Sequence, residues 1–328
     1  MAFLFLKEKK LKVLSLFDGI SCGQIALQNL KIPVTAYYAS EIKKTAIFCT
    51  KMNFPNTIHI GDVQKVHYKN GMLYTSKGNY QVGKIDLLIG GSPCQDLSRI
   101  NIYKKGLKGE KSKLFFEFLR LLEEIKPDYF LLENVKMKKD YKNRIDSLLK
   151  VKGIEINSNL VSYQNRNRIY WSNIPNITLP KDQKINFQDF RIRNYEIEKK
   201  YKAKKTPSRK KMWNDGKNKA TTRFFCKNVS NSNKIDTILT KQDHAPNAGL
   251  IEFEDFFRYL TREELEMGQT LPAGYTRCLN RLQAENVIGD AWTVKVIEHI
   301  FSFLPKKRRM EGKRKIPKKS KEKEERGR

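Results

Sequence analysis

Four short apolar runs constrain the fold more than any other feature of the chain: "LKVLSLF" (11–17), "TAYYASEI" (35–42), "IDLLIGG" (85–91) and "YFLLENV" (129–135). "IDLLIGG" is continuously apolar, the pattern of a strand covered on both faces. The first run leads into "DGISCG" and then "QIALQNL", which reads as strand, glycine turn and helix. Before the fourth, "SKLFFEFLRLLEEIKPD" (112–128) places Leu114, Phe115, Phe118, Leu121, Leu122 and Ile125 at helical spacing, and Pro127 stops the helix. Strands alternating with helices predict an α/β fold with a mainly parallel sheet and its chemistry at the strand C-termini.

Past about residue 175 the character changes. Residues 201–227 carry ten basic side chains against one acid, with Trp213, Phe224 and Phe225 interleaved. Periodic apolar sequence returns at about 252, and from 305 the chain holds thirteen basic and four acidic residues. That last stretch is too polar to fold alone. Across 328 residues the formal net charge is +30, an excess that attracts polyanions, nucleic acid before acidic membrane. The five cysteines (Cys22, Cys49, Cys94, Cys226 and Cys278) are scattered without C-x-x-C spacing, so neither a zinc site nor a disulfide framework is expected. The apolar part of "MAFLFLKEKK" is too short for a secretory signal, and no run approaches membrane-spanning length.

Candidate site residues stand at the strand exits. Gly19 and Gly23 flank the first turn, and Glu41 ends the next strand, where doubly wound folds commonly bind ribose hydroxyls. G-x-G-x-x-G is absent, so a nucleoside-like ligand without a pyrophosphate fits better; two structural glycines and a surface glutamate would look the same. Cys94, in "GGSPCQDLS", lies just beyond a strand end. A thiolate there suits reversible addition to an electron-poor ring carbon, although a lone cysteine is more commonly structural. Glu133 leaves the fourth strand and could donate a proton or form an ordinary ion pair. Arg166 and Arg168 of "QNRNR" alternate, so they share one side of a strand, whether to hold an acid or phosphate or to face solvent.

In order along the chain, "SLFDGISCG", "SEI", "GDV", "GGSPCQDLS", "LLENV", "QNRNR", "RYLTREELE" and "GDAWTV" resemble the motifs of C5-cytosine DNA methyltransferases of phage and bacterial type, and of the de novo animal branch. The resemblance covers roughly 11–304, except the basic insert. It implies a Rossmann-like sheet of the S-adenosylmethionine-dependent methyltransferases, with a smaller basic target recognition domain. It divides the chain into a catalytic domain at 1–175, a target recognition domain at 176–251, a return to the catalytic domain at 252–304 and a basic tail at 305–328.

By the same resemblance Cys94 is the nucleophile, Glu133 faces N3 and the exocyclic amine of cytosine, and Arg166 and Arg168 belong to the catalytic set. Phe17, Asp18, Gly19 and Gly23 line the cofactor pocket, Glu41 binds ribose, Asp62 and Val63 meet adenine, and Trp292 closes the pocket. Asp290 stands where many relatives have asparagine, and Ala291 follows it. The resemblance implies S-adenosylmethionine as cofactor, double-stranded DNA as partner, a monomer, and neither metal nor membrane. It places the protein in the cytoplasm, at a bacterial or phage-host nucleoid, or in a nucleus if the source is eukaryotic, and raises a restriction-modification context. A transfer-RNA cytosine methyltransferase and an inactive DNA-binding homologue are the alternatives. The loop at 95–113, with five lysines and with Gly106 and Gly109 as hinges, is expected to close over DNA; the tail is a phosphate clamp, an address or a solubility aid.

Overall fold

The computed structural model describes residues 10–92, 112–217, 226–244, 246–254 and 256–305. Cys94, almost all of the loop expected to close, Phe224, Phe225 and all but the first residue of the tail lie outside them. The first half runs β1 (Leu11–Leu16), α1 (Cys22–Asn29), β2 (Val34–Ser40), α2 (Lys44–Asn53), β3 (Ile58–His59), β4 (His67–Lys69), β5 (Met72–Thr75), β6 (Gly78–Gln81), β7 (Leu87–Gly91), α3 (Ser112–Ile125) and β8 (Tyr129–Val135). Then come α4 (Lys139–Leu149), β9 (Ile154–Asn157), β10 (Asn167–Ser172), α5 (Tyr195–Lys200), α6 (Pro207–Lys217), β11 (Ile251–Glu252), β12 (Phe257–Arg258), α7 (Arg262–Gly268), α8 (Arg281–Asp290) and α9 (Val294–Phe301).

The main sheet has the order β3-β2-β1-β7-β8-β10-β9. The strands from β3 to β8 pair in parallel, and β10 runs antiparallel to both β8 and β9. The four apolar runs of the sequence are β1, β2, β7 and β8, all near the middle of this sheet. Successive residues point to opposite faces. Val13, Ile89 and Leu131 therefore enter the apolar cluster that includes Ile25 of α1 and Ile297 of α9. Leu14, Leu88 and Leu132 enter the other, with Phe118 of α3. Chain order reverses between β1 and β7, and such a reversal opens a crevice at the strand C-termini.

The antiparallel sheet β4-β5-β6 was not anticipated from periodicity. Its first turn is Asn70-Gly71, with φ of 49° and 80°, the positive angles that a two-residue hairpin turn needs. A further small core joins Ala203, Trp213, Cys226, Leu250, Phe257 and Tyr259, and so runs across residue 252. Trp213 stacks on Phe257, with ring centroids 4.8 Å apart and planes 12° from parallel.

Two features hold together the elements that follow residue 190. Arg258, wholly buried on β12, is bidentate to Glu264 of α7 at 2.8 and 2.9 Å, and its Nη2 also donates to Glu198 of α5 at 3.1 Å. Gly289 of α8 lies against the backbone of Leu239 and Thr240; a Cβ there would come within 2.3 Å of both. No rotamer relieves a contact with backbone, so Gly289→Ala is expected to push the 239–240 segment away and to cost about 1–3 kcal/mol, the range for overpacking. Urea unfolding of the two proteins checks this; equal midpoints would contradict it.

Candidate active site

Glu133 lies on β8 opposite Gly91 of β7, three residues before Cys94. Its side chain is largely buried and held at both oxygens. Arg168 Nε sits 3.0 Å from Oε1, and Trp292 Nε1 donates to Oε2 at 3.1 Å. Arg168 reaches it because β10 pairs with β8, with Arg168 opposite Val135. Trp292 arrives from the opposite end of the chain, in the turn between α8 and α9. Two charged groups and an indole N–H from three distant segments thus converge at the strand edge that leads into Cys94.

Arg166 shares neither partner. It precedes β10, and its guanidinium donates to Ile238 O at 3.0 Å and Gly289 O at 3.2 Å. Burial, and next the charge of Arg168, push its pKa down to about 10, with Glu133 acting in the opposite direction. It remains a cation near neutral pH. Gln164 works alongside it: its side chain accepts from Ile238 N at 2.9 Å and donates to Gly268 O at 3.0 Å. The pair fastens the segment at 238 to α7 and α8.

The turn after β1 forms a second cluster. Gly19 N donates to Glu41 Oε2 at 2.8 Å, while Glu41 Oε1 accepts from the N–H groups of Ile42 and Lys43. Gly19 has φ +57°, and a Cβ there would meet open space. Gly23 has the opposite surroundings: a Cβ would collide with Ile89 at 2.4 Å, with Trp292 3.8 Å away. Ser40 Oγ donates to Gly61 O at 2.8 Å, which brings Asp62 and Val63 beside the end of β2. Asp62 accepts from Gln64 N, and Val63 is buried. Phe17, at φ 56°, packs against the cluster on the α3 face.

Asp18 accepts hydrogen bonds from Tyr37 Oη at 2.8 Å and from Ser21 Oγ. Burial outweighs these bonds and pushes its pKa from 3.8 up to about 6. A carboxyl raised on folding contributes stability that is full below its unfolded value and is lost as pH rises through its folded value. The empty protein should therefore lose this contribution between about pH 4 and pH 6. A cationic ligand at the turn favours the ionised carboxylate, so its affinity should fall up to about tenfold per pH unit below about 6. Calorimetric titration with S-adenosylmethionine from pH 5 to 8 checks this, and a flat profile would remove Asp18 from the site.

Sequence reading passed over Ile42. This apolar side chain follows Glu41 and is 71% exposed, an uncovered surface that a flat ring would shield. An isoleucine after a strand-ending acid was the only signal. Asp290, the departure noted above, pairs with Lys43 at the start of α2, on the Glu41 side. Ala291 is buried, and its carbonyl accepts from Gln269.

The sequence pattern of the family described as C-5 cytosine-specific DNA methylase matches residues 11–306. The chain belongs to this family. Its orphan methyltransferase M.Rho11sI of Bacillus phage rho11s is 38% identical over 129 residues, 39% of this chain and 23% of that protein. The type II methyltransferase M1.ScrFI of Lactococcus lactis subsp. cremoris is 35% identical over 130 residues, 40% of this chain and 30% of that protein. The DNA (cytosine-5)-methyltransferase DRM2 of Arabidopsis thaliana is 37% identical over 123 residues, 35% of this chain and 19% of that protein. The matched stretch thus spans under a third of each relative's length. Among solved structures, the Entamoeba histolytica methyltransferase EhMeth aligns with TM-score 0.68 at 14% identity, over 90% of this chain and 98% of that one. The S. pombe Dnmt2 methyltransferase aligns with TM-score 0.66 at 16% identity, over 90% and 98%. The C-5 methylase fold therefore extends over most of the chain, and no helix among the described residues is long and apolar enough to cross a membrane.

Proposed function

We propose that this family member is a DNA (cytosine-5)-methyltransferase acting on a cytosine flipped out of duplex DNA. The observation that carries the reading is the Glu133 carboxylate, gripped by Arg168 and Trp292 opposite the strand end that runs into Cys94. Cytosine C5 is a weak nucleophile until a nucleophile adds at C6. The Cys94 thiolate makes that addition, forming an S–C6 bond and turning C5 into an enamine carbon. Glu133 faces N3 and the exocyclic amine, and neutralises N3 as C6 is attacked. Arg168 and Trp292 keep the carboxylate aimed. Arg166 acts at one remove, anchoring the recognition segment to α8. Loss of the C5 proton and departure of Cys94 restore the ring. A stacked base is out of reach of these groups, so the target must leave the helix.

The β1 turn fits S-adenosylmethionine. Open space beside Gly19, a Glu41 carboxylate with lone pairs left for ribose hydroxyls, the uncovered Ile42 and the half-buried Asp18 form a cradle for a cationic nucleoside. Bound there, S-adenosylmethionine would supply an electrophilic methyl group. Glu41 would hold the ribose, Ile42, Asp62 and Val63 the adenine, and Asp18 the cationic end, with Trp292 closing over Gly23.

On this reading residues 1–175 and 252–304 form the catalytic domain and 176–251 the target recognition domain. The charge of +30 serves duplex DNA, and a monomer suffices. Bisulfite sequencing of DNA from cells producing the protein tests the proposal and reads the target in one step. Protected cytosines in one sequence context, lost on Cys94→Ala, support it. Unprotected DNA alongside methylated transfer RNA would move the activity to RNA.

A further inference from the structure

Helix α6, in the basic stretch past residue 200, has one face in the small core and another in solvent. Trp213 packs inward on Phe257, while Lys210, Lys211 and Asn214 are exposed. Arg209 stands one turn before Trp213, half-buried at the edge of the packed face. Its guanidinium meets Asp243 side-on: Nε donates to Oδ1 at 2.5 Å, and Nη2 donates to Oδ2. Tyr259 Oη, from the core beneath, donates to the same Oδ1 at 2.5 Å. On the other side Nη1 reaches Thr206 Oγ1 at 3.5 Å. A guanidinium carries five N–H bonds in a fixed fork. These contacts use the one on Nε and one on each Nη, so among the described residues one N–H remains on Nη1 and one on Nη2. An exposed Arg–Asp pair contributes little to stability. What this one does is fix the direction of the fork.

Asp243 is itself held in register with the candidate active site. Arg166, two residues before the Arg168 that grips Glu133, donates to Ile238 O at 3.0 Å. Gly289 backs the chain at 239–240, and Gln242 Nε2 donates to Leu260 O at 2.8 Å. The chain from Ile238 to Asp243 is therefore tied at its start, in its middle and next to its end. On either side of Asp243, Lys241 and His244 are exposed. The Arg209 fork thus stands on a basic surface whose position is set by the same strand that sets Glu133.

We propose that Arg209, aimed by Asp243, reads a guanine in the major groove beside the target cytosine. Guanine presents O6 and N7 there as paired acceptors, and a two-pronged donor is what fits them. A guanidinium held side-on by a carboxylate has its end-on edge free for that pair. The five residues from Ile238 to Asp243 span at most about 18 Å of chain. At about 3.4 Å per base pair, the guanine lies within about five base pairs of the methylated cytosine. Asp243 is the positioning residue: it touches no base and acts through Arg209.

The proposal rests on the reading of the partner as duplex DNA, so its test is a binding measurement that needs no methyl transfer. Full-length protein carrying Cys94→Ala is equilibrated with a randomised duplex pool, and bound DNA is sequenced. The same is done after adding Arg209→Lys, which keeps the charge and loses the fork, or Asp243→Asn. The expected result is a preferred guanine near the target cytosine whose preference falls roughly 5- to 150-fold in Arg209→Lys. Asp243→Asn should weaken preference at that same position, and the ranking elsewhere should stay put. An unchanged ranking in Arg209→Lys, or no preferred guanine in the parent, would overturn the proposal. So would an Arg209→Ala variant that binds all duplexes more weakly by one factor, with a salt slope lower by about 0.9, because that is the mark of a phosphate contact. Methyl transfer by protein with Cys94 intact is measured separately. If it fails on every DNA while the guanine preference is present, the enzymatic reading falls and the assignment of Arg209 stands.

Discussion

A Glu133→Gln variant is expected to methylate duplex DNA roughly 10²–10⁴-fold more slowly than the parent, the usual contribution of a positioned general acid. Glutamine keeps the shape of the side chain and can still accept from Arg168 or Trp292 through its carbonyl oxygen. It lacks the second acceptor oxygen and cannot give N3 a proton in the same way, so N3 stays unneutralised when C6 is attacked. Affinity for S-adenosylmethionine should hardly move, since the residues at the β1 turn are intact. Single-turnover methylation with saturating cofactor and DNA measures this directly. Near-normal turnover would remove Glu133 from the chemistry.

Arg258→Ala should destabilise the protein by about 3–5 kcal/mol, the cost of breaking a buried ion pair by removing one partner. Glu264 is fully buried and Glu198 nearly so, and neither can recover water once the guanidinium is gone. Glu264 would keep some partners, because it also accepts from Ile192 N at 2.9 Å and Thr261 N at 2.7 Å. The loss falls on the junction where α5, β12 and α7 meet, so the midpoint of urea unfolding should drop steeply. A change below about 1 kcal/mol, the scale of an exposed pair, would show that the network holds nothing together.

Much of this arrangement is legible in the sequence because its signals are local. Continuous apolar character marks the central strands, since a strand covered on both faces has no polar side to show. Glu133 and Glu41 could be singled out because each directly follows such a run. Asn70-Gly71 carried an equally local hairpin signal, but its three short strands lack a long apolar run and were passed over. Where partners lie far along the chain, sequence stops helping. Arg166 and Arg168 alternate and look equivalent, yet one meets carbonyls at 238 and 289 and the other meets Glu133. Trp213 reads as one of three aromatics among basic residues and turns out to lie in a small core against Phe257. That core also draws on Tyr259, beyond the residue where apolar periodicity resumes.

Covalent trapping tests the central claim most directly. Duplex DNA with 5-fluorocytosine at the target is incubated with the protein and S-adenosylmethionine, and the products are separated under denaturing conditions. Fluorine cannot leave C5 as a proton does, so the Cys94–C6 bond cannot be broken after methyl transfer. The account predicts a cofactor-dependent protein–DNA adduct, mapped to Cys94 and absent from Cys94→Ala even though that variant still binds the duplex. An adduct that persists in Cys94→Ala, or methylation of ordinary cytosine with no trapping of the fluorinated base, would contradict it.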